Sequence, residues 1–213
     1  SIGGPERSEV LNFPFIIFCC AGLIASSVVN SSYASSSSSL MISKINGTIT
    51  DILHTPISPA EVVTAITLGS VARSMMIVII SVIVFNLFID LPIYNFFYVF
   101  AFVFLGAFIL GSIGVISGIL IDKFEGQAAV TNFLVSPLAL LSGTFYLTEK
   151  LPEIVQKINI ANPIYHIVNT IRYGFLGESD TSVKFGLLYL VVLSFIFWFV
   201  AYILFAKGVK IKN

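Results

Sequence analysis

Residues 91–121 read LPIYNFFYVFAFVFLGAFILGSIGVISGILI. The stretch holds no Asp, Glu, Lys, Arg or His, and a helix needs only about 20 mostly apolar residues to cross a bilayer. In hydrocarbon every backbone N–H and C=O must be satisfied internally, which leaves helices and closed barrels. Barrel strands alternate apolar and polar residues over about ten positions. This run does not alternate, so it predicts a transmembrane helix.

Outward from it the pattern repeats. Residues 13–41, 62–89, 126–148 and 185–206 are further long apolar segments, which makes five expected spans with 91–121. Arg73 is the one interruption of 62–89, toward the inner end, where it can snorkel to water. Pro137 falls within 126–148 and is expected to remove a backbone hydrogen bond and kink the helix. The last span holds the single Trp, Trp198, between Tyr189 and Tyr202. Apolar residues make up 57% of the chain and charged residues 10%, with a mean hydropathy of +0.99, whereas soluble domains carry about 25% charge. The expected fold class is therefore all-α: one polytopic transmembrane helical bundle over residues 1–213. Residues 1–12 carry Glu6, Arg7 and Glu9, which is not the basic start of a signal peptide, so 13–41 reads as a span.

The same residues exclude several functions. The formal net charge is zero, with no basic patch for nucleic acid. Cys19 and Cys20 are adjacent and build neither a disulfide framework nor a metal site. The phosphate loop Gly-x-x-x-x-Gly-Lys-Ser/Thr, His-Glu-x-x-His and Gly-x-Ser-x-Gly are all missing. No catalytic, cofactor-binding or metal residue is expected. Ion-coupled carriers usually keep ionisable groups inside the membrane, and no Asp, Glu or Lys lies deep in these spans. Energy for any transport would come from another protein.

Positive residues favour the cytoplasmic side. With the basic tail Lys207–Lys212 inside, five spans place residues 42–61 and 122–125 inside, and residues 1–12, 90–94 and 149–184 outside. The inner loop carries Ile45, Ile49, Ile52 and Leu53 on one face of a short helix that Pro56 ends. A capping box follows, with Ser58 at N-cap, Pro59 at N1 and Glu61 at N3. Such a helix on a stiff elbow either rests on lipid headgroups or docks into a cytosolic partner. In the outer loop Leu151, Ile154, Val155 and Ile158 form one apolar face. Ile164, Ile167, Val168 and Ile171 form another, after Asn162-Pro163. Both helices are too short to span and are expected to be re-entrant, half-inserted or capping the bundle. Asn30 to Ser39 make a polar half of the first span. It either faces a helix neighbour or lines a translocation path, with Asn30, Ser31, Tyr33 and Ser35 as candidates. Gly114 and Gly118 form a Gly-x-x-x-Gly pair that permits close helix packing.

Three ordered segments resemble the ABC-2 type permeases, the membrane subunits of bacterial ABC exporters. They are Gly22–Ser35 continuing through Gly47–Pro59, Leu141–Tyr146 followed by Leu151-Pro152, and Asn162–Gly177. The resemblance implies six spans per subunit, so the first would be absent and the chain an N-terminally truncated fragment. It implies that the inner loop is the coupling helix, with Ile49, Ile52 and Leu53 filling a groove on an ATP-binding cassette subunit. Thr50 and Asp51 would add polar contacts and Pro56 would set the elbow. The outer helices would match the family's re-entrant helices, with Phe145, Tyr146, Asn162, Pro163 and Arg172 as a candidate outer gate. It further implies a second permease copy or paralogue, ATP and Mg on the partner subunit alone, and a bacterial inner membrane. The cargo would be lipid-like, polysaccharide or drug-like. The alternatives are a secondary carrier or channel, or a membrane scaffold without transport.

Overall fold

The computed structural model describes residues 9–10, 13–144, 159–178 and 182–209. Among the described residues the first element is a two-residue antiparallel ladder, β1 (Glu9–Val10) on β2 (Phe13–Pro14), and the other elements are helices. Among the described residues four helices are long and apolar enough to cross a membrane. They are α1 (Phe15–Ile45), α3 (Pro59–Asn86), α4 (Phe96–Leu120) and a C-terminal helix, α8 (Val183–Ala206). In their most apolar windows 50% of α1 and 61% of α4 is buried, against 22% of α3 and 17% of α8. The first two are therefore the centre of the bundle and the others its exposed periphery.

Each end has a local cause. Helix α1 runs to Ile45, four residues past the expected Met41, because Lys44 need not reach water. Its Nζ donates to the Ile119 carbonyl at 3.0 Å and pairs with Asp122 at 2.6 Å. The cation thus sits on the C-terminal carbonyls of α4, where the helix dipole favours it. Helix α3 starts at the expected capping box, three residues before the apolar run 62–89. The Ser58 amide donates to Glu61 Oε2 at 2.7 Å and the Glu61 amide to Ser58 Oγ at 3.3 Å, with Pro59 at the first helical position. Helix α4 starts five residues later than Leu91. Asn95 caps it by accepting from the Phe97 amide at 2.9 Å. The preceding turn spends its own amides elsewhere, Tyr94 on the Phe175 carbonyl and Asn95 on the Gly174 carbonyl, at 2.9 and 3.1 Å.

The expected span 126–148 takes a different form. It is an unbroken helical run of α5 (Phe124–Val130), a π-helical segment (Thr131–Val135) and α6 (Ser136–Leu141). Pro137 cannot donate to the preceding turn and its ring crowds it. The wider π turn just upstream takes up that mismatch. The run covers about 27 Å at 1.5 Å per residue.

Helices α1 and α4 approach closely because glycines face a serine tract. A Cβ on Gly114 would lie 2.6 Å from the Tyr33 carbonyl oxygen, and one on Gly118 would lie 3.1 Å from the Ser37 carbonyl oxygen. The Gly-x-x-x-Gly pair is thus occupied within the chain. Ser32, Ser36 and Ser37 are at most 1% exposed. Ser31 and Ser32 hydroxyls bond Ser74 of α3 at 3.1 and 2.8 Å. The outer helix α7 (Pro163–Leu176) is buried on nearly every side, against α1, α4 and α8. Asn162 caps its start and Gly177, at φ 75°, its end.

Candidate functional site

At the inner end the chain leaves α1 through Gly47, whose φ of 74° suits glycine, and enters α2 (Thr48–His54). Ile49 is 4% exposed and packs among Leu40, Val62, Val63, Val115, Ile119, Ala201 and Phe205. It anchors α2 to the bundle, so its expected place in a partner's groove is corrected. The periodicity identified an apolar stripe but not which way it turned, and an isoleucine beside the core ends of four helices is pulled inward. Ile52 is half-buried against the same cluster. The Leu53 side chain lies outside the described residues. The free face of α2 and its elbow is Thr50, Asp51, His54, Pro56 and Ile57, all exposed. Thr50 Oγ1 donates to the Gly47 carbonyl at 2.6 Å and the Ile57 amide to the Thr55 carbonyl at 2.8 Å. His54 and Ile57 were not singled out from sequence. An isoleucine between two prolines in Pro56-Ile-Ser-Pro59 was the available signal.

The candidate path residues do not converge on one surface. Asn30 is half-buried and donates to the Ser26 carbonyl at 2.9 Å. Ser31 turns to α3, as above. Ser35 is 8% exposed and Tyr33 fully buried. The Tyr33 hydroxyl accepts from Gln127 Nε2 at 2.8 Å, and the same amide donates to Ser117 Oγ at 3.1 Å. One amide therefore ties α1, α4 and α5 together inside an apolar bundle. Gln127 was missed in the sequence, although it is the one amide in the otherwise small and apolar stretch Gly126–Val130. Beside it is an apolar cavity of about 390 Å³ whose lining includes Tyr33, Ile113, Ser117, Leu134, Leu138 and Ile164.

At the outer end α7 braces the chain after α6. Asn162 Nδ2 donates to Ser142 Oγ at 3.0 Å and to the Leu138 carbonyl at 3.3 Å. Its Oδ1 accepts from the Ile164 amide at 3.0 Å, with Pro163 at the first helical position. Arg172 is 1% exposed. It donates to the Gly143 carbonyl, and its Cζ sits 3.9 Å from the centroid of the Phe18 ring, a cation–π arrangement that gains strength away from water. Ser26 and Thr144 hydroxyls share a hydrogen bond of 2.8 Å. Two of the candidate gate residues, Asn162 and Arg172, thus hold one segment, residues 138–144. Phe145 and Tyr146 lie outside the described residues, as does the expected helix face Leu151–Ile158. His166 is buried too, with Nε2 2.8 Å from the Ile160 carbonyl and its ring 4.6 Å from that of Tyr189. Burial holds its imidazole below the ordinary range, against a smaller opposing effect of the Ile160 carbonyl.

Two comparisons bear on this geometry. Inner membrane transport permease YadH of Escherichia coli (strain K12) is 27% identical over 210 residues, covering 99% of this chain and 82% of that protein. The permease of the same name from Shigella flexneri matches to the same extent. Residues 3–176 match the ABC-2 type transporter family, a range that takes in α1 to α7 with the short inner helix, the glycine-faced α1–α4 crossing and the outer brace. The chain belongs to the ABC-2 type transporter family.

Proposed function

We propose that this chain is the membrane subunit of an ATP-driven exporter in a bacterial inner membrane, and that α2 receives the push of a separate ATP-binding cassette subunit. The observation that carries the reading is the mounting of α2. It is rooted in the bundle by Ile49 and bounded by Gly47 on one side and the capped Ser58–Pro59 elbow on the other. A load on Asp51 or His54 would pass into α1 and α3 instead of being absorbed by a slack loop. The helical run 124–141 acts as a fifth span, and a second copy or paralogue completes the transporter. The cargo is lipid-like, polysaccharide or drug-like. The apolar cavity beside Tyr33 and Gln127 supports an amphiphilic cargo. Hydrolysis of ATP, with its Mg, takes place on the partner.

The test is co-purification of the full-length protein with its ATP-binding cassette partner, comparing wild type with Leu53→Asp. A charge introduced into α2 is expected to release the ATPase or uncouple hydrolysis from transport while the spans stay inserted. Unchanged association and transport in that variant would sink the coupling assignment. No association even for wild type would favour a carrier or a scaffold.

A further inference from the structure

Lys44 belongs to two parts of the fold at once. Its backbone is in the corner that carries α2. The Lys44 carbonyl accepts from the Gly47 amide at 3.2 Å, and next to it Thr48 Oγ1 donates to the Ser43 carbonyl at 3.3 Å. Its side chain crosses to the inner end of α4 and is only 13% exposed. The Nζ group donates to the Ile119 carbonyl at 3.0 Å and to those of Gly118 and Ile121 at 3.4 and 3.5 Å. It pairs with Asp122 Oδ1 at 2.6 Å.

The end of α4 needs such a donor. The last four carbonyls of a helix have no partner within it, and a left-handed glycine often closes the end. Here Ile121 follows instead, extended at φ −107° and ψ 130°, with its amide turned back to the Ser117 carbonyl at 2.9 Å. An ammonium carries three donors, so a lysine of α1 caps α4 from outside. The turn 121–123 then runs straight into α5. A Cβ on Gly126 would lie 2.9 Å from Ile121 Cγ2, so the first turn of α5 rests on the turn that Lys44 holds.

One side chain therefore joins the corner of α2 to the start of the helical run 124–141. Ile49 and Ile119 also share an apolar cluster. Apolar packing is non-directional and lets the two surfaces slide, whereas an ammonium bonded to several oxygens carries them with it. We propose that Lys44 is a positioning residue of the coupling step. A displacement of α2 passes through its side chain to the turn 121–123 and shifts the run 124–141. That run supplies Val130, Leu134, Val135 and Leu138 to the wall of the cavity beside Tyr33, so the stroke changes the width of that cavity. The proposal rests on the transport reading and adds where the push goes.

The experiment is hydrogen–deuterium exchange with mass spectrometry on the full-length protein assembled with its ATP-binding cassette subunit, with and without ATP and vanadate. In wild type, nucleotide should change exchange both in α2 and in residues 119–130. Lys44→Met should keep the response of α2 and lose that of 119–130. Lys44→Arg keeps the charge and the donors and should retain both. A residue that only stabilised the fold would lower the melting point, read by Trp198 fluorescence, without separating the two responses. If Lys44→Met does not fold, Asp122→Asn decides the matter, and should weaken the response of 119–130 while leaving that of α2. Equal responses in wild type and in the folded variant would overturn the proposal, and so would loss of both responses together. An assembled, hydrolysing wild type whose residues 119–130 ignored nucleotide would overturn it and leave the transport reading standing. Failure of wild type to bind the ATPase at all would overturn both.

Discussion

Adding one methyl group at Gly114 and one at Gly69 should have opposite effects, although both glycines lie inside long apolar helices. At Gly114 the new Cβ would stand 2.6 Å from the Tyr33 carbonyl oxygen and 3.0 Å from Ser36 Cβ. Ordinary contact begins near 3.4 Å, so α1 and α4 must part by about 0.8 Å there. The obstacle is backbone, which cannot swing aside as a side chain would. The helices cannot pivot locally either, because Gly118 meets the Ser37 carbonyl oxygen one turn further along, at 3.1 Å from its own Cβ position. Overpacking of this kind costs about 1–3 kcal/mol. At Gly69 nothing lies within 4 Å, and alanine gains roughly 0.8–1 kcal/mol of helix propensity over glycine. Gly114→Ala should therefore lower the midpoint of thermal unfolding in detergent and Gly69→Ala should leave it unchanged or raise it, read by Trp198 fluorescence. If Gly114→Ala is as stable as Gly69→Ala, the α1–α4 interface is not built on that glycine ridge.

Gln127→Leu should destabilise the bundle by about 1 kcal/mol, near the measured range for interhelical hydrogen bonds in membranes. A double-mutant cycle with Tyr33→Phe should show coupling, and strict additivity would mean that the amide and the phenol act separately. The burial of His166 should make stability depend on pH. A folded-state pKa below the ordinary value near 6.5 means that the unfolded chain binds more protons between the two values. Stability from a neutral His166 is thus full above about pH 6.5 and falls as pH drops through that value toward the lower, folded one. His166→Gln should flatten this slope in thermal melts between pH 7.5 and 5, and an unchanged slope would mean that another group carries it.

What the sequence made legible was local. Ser58, Pro59 and Glu61 stand within four positions of one another, so their capping box could be read before any coordinates. The charge-free runs gave the long helices, and Pro137 marked a local irregularity, though not the π segment that takes the place of a kink. The misses concern direction and distance. Ile49 showed a stripe, but whether it faced the bundle or a partner depends on Val115 and Phe205, far along the chain. For α7 the apolar stripe was visible, yet the opposite side is buried as well. Arg172 is received there by Phe18, 154 positions earlier, and by the Gly143 carbonyl, among others. Gln127 looked like an incidental amide because its partners Tyr33 and Ser117 lie on other helices.

The central claim is that α2 meets an ATP-binding cassette subunit. A photo-crosslinking amino acid placed at Asp51 or His54, and at Ile80 on the exposed side of α3 for comparison, tests it most directly in cells making both proteins. The account expects a crosslink to the ATP-binding cassette subunit from positions 51 and 54 and none from 80. If α2 gave no adduct with that subunit while the two proteins still assembled, the coupling role would belong elsewhere on the chain and the account would be wrong.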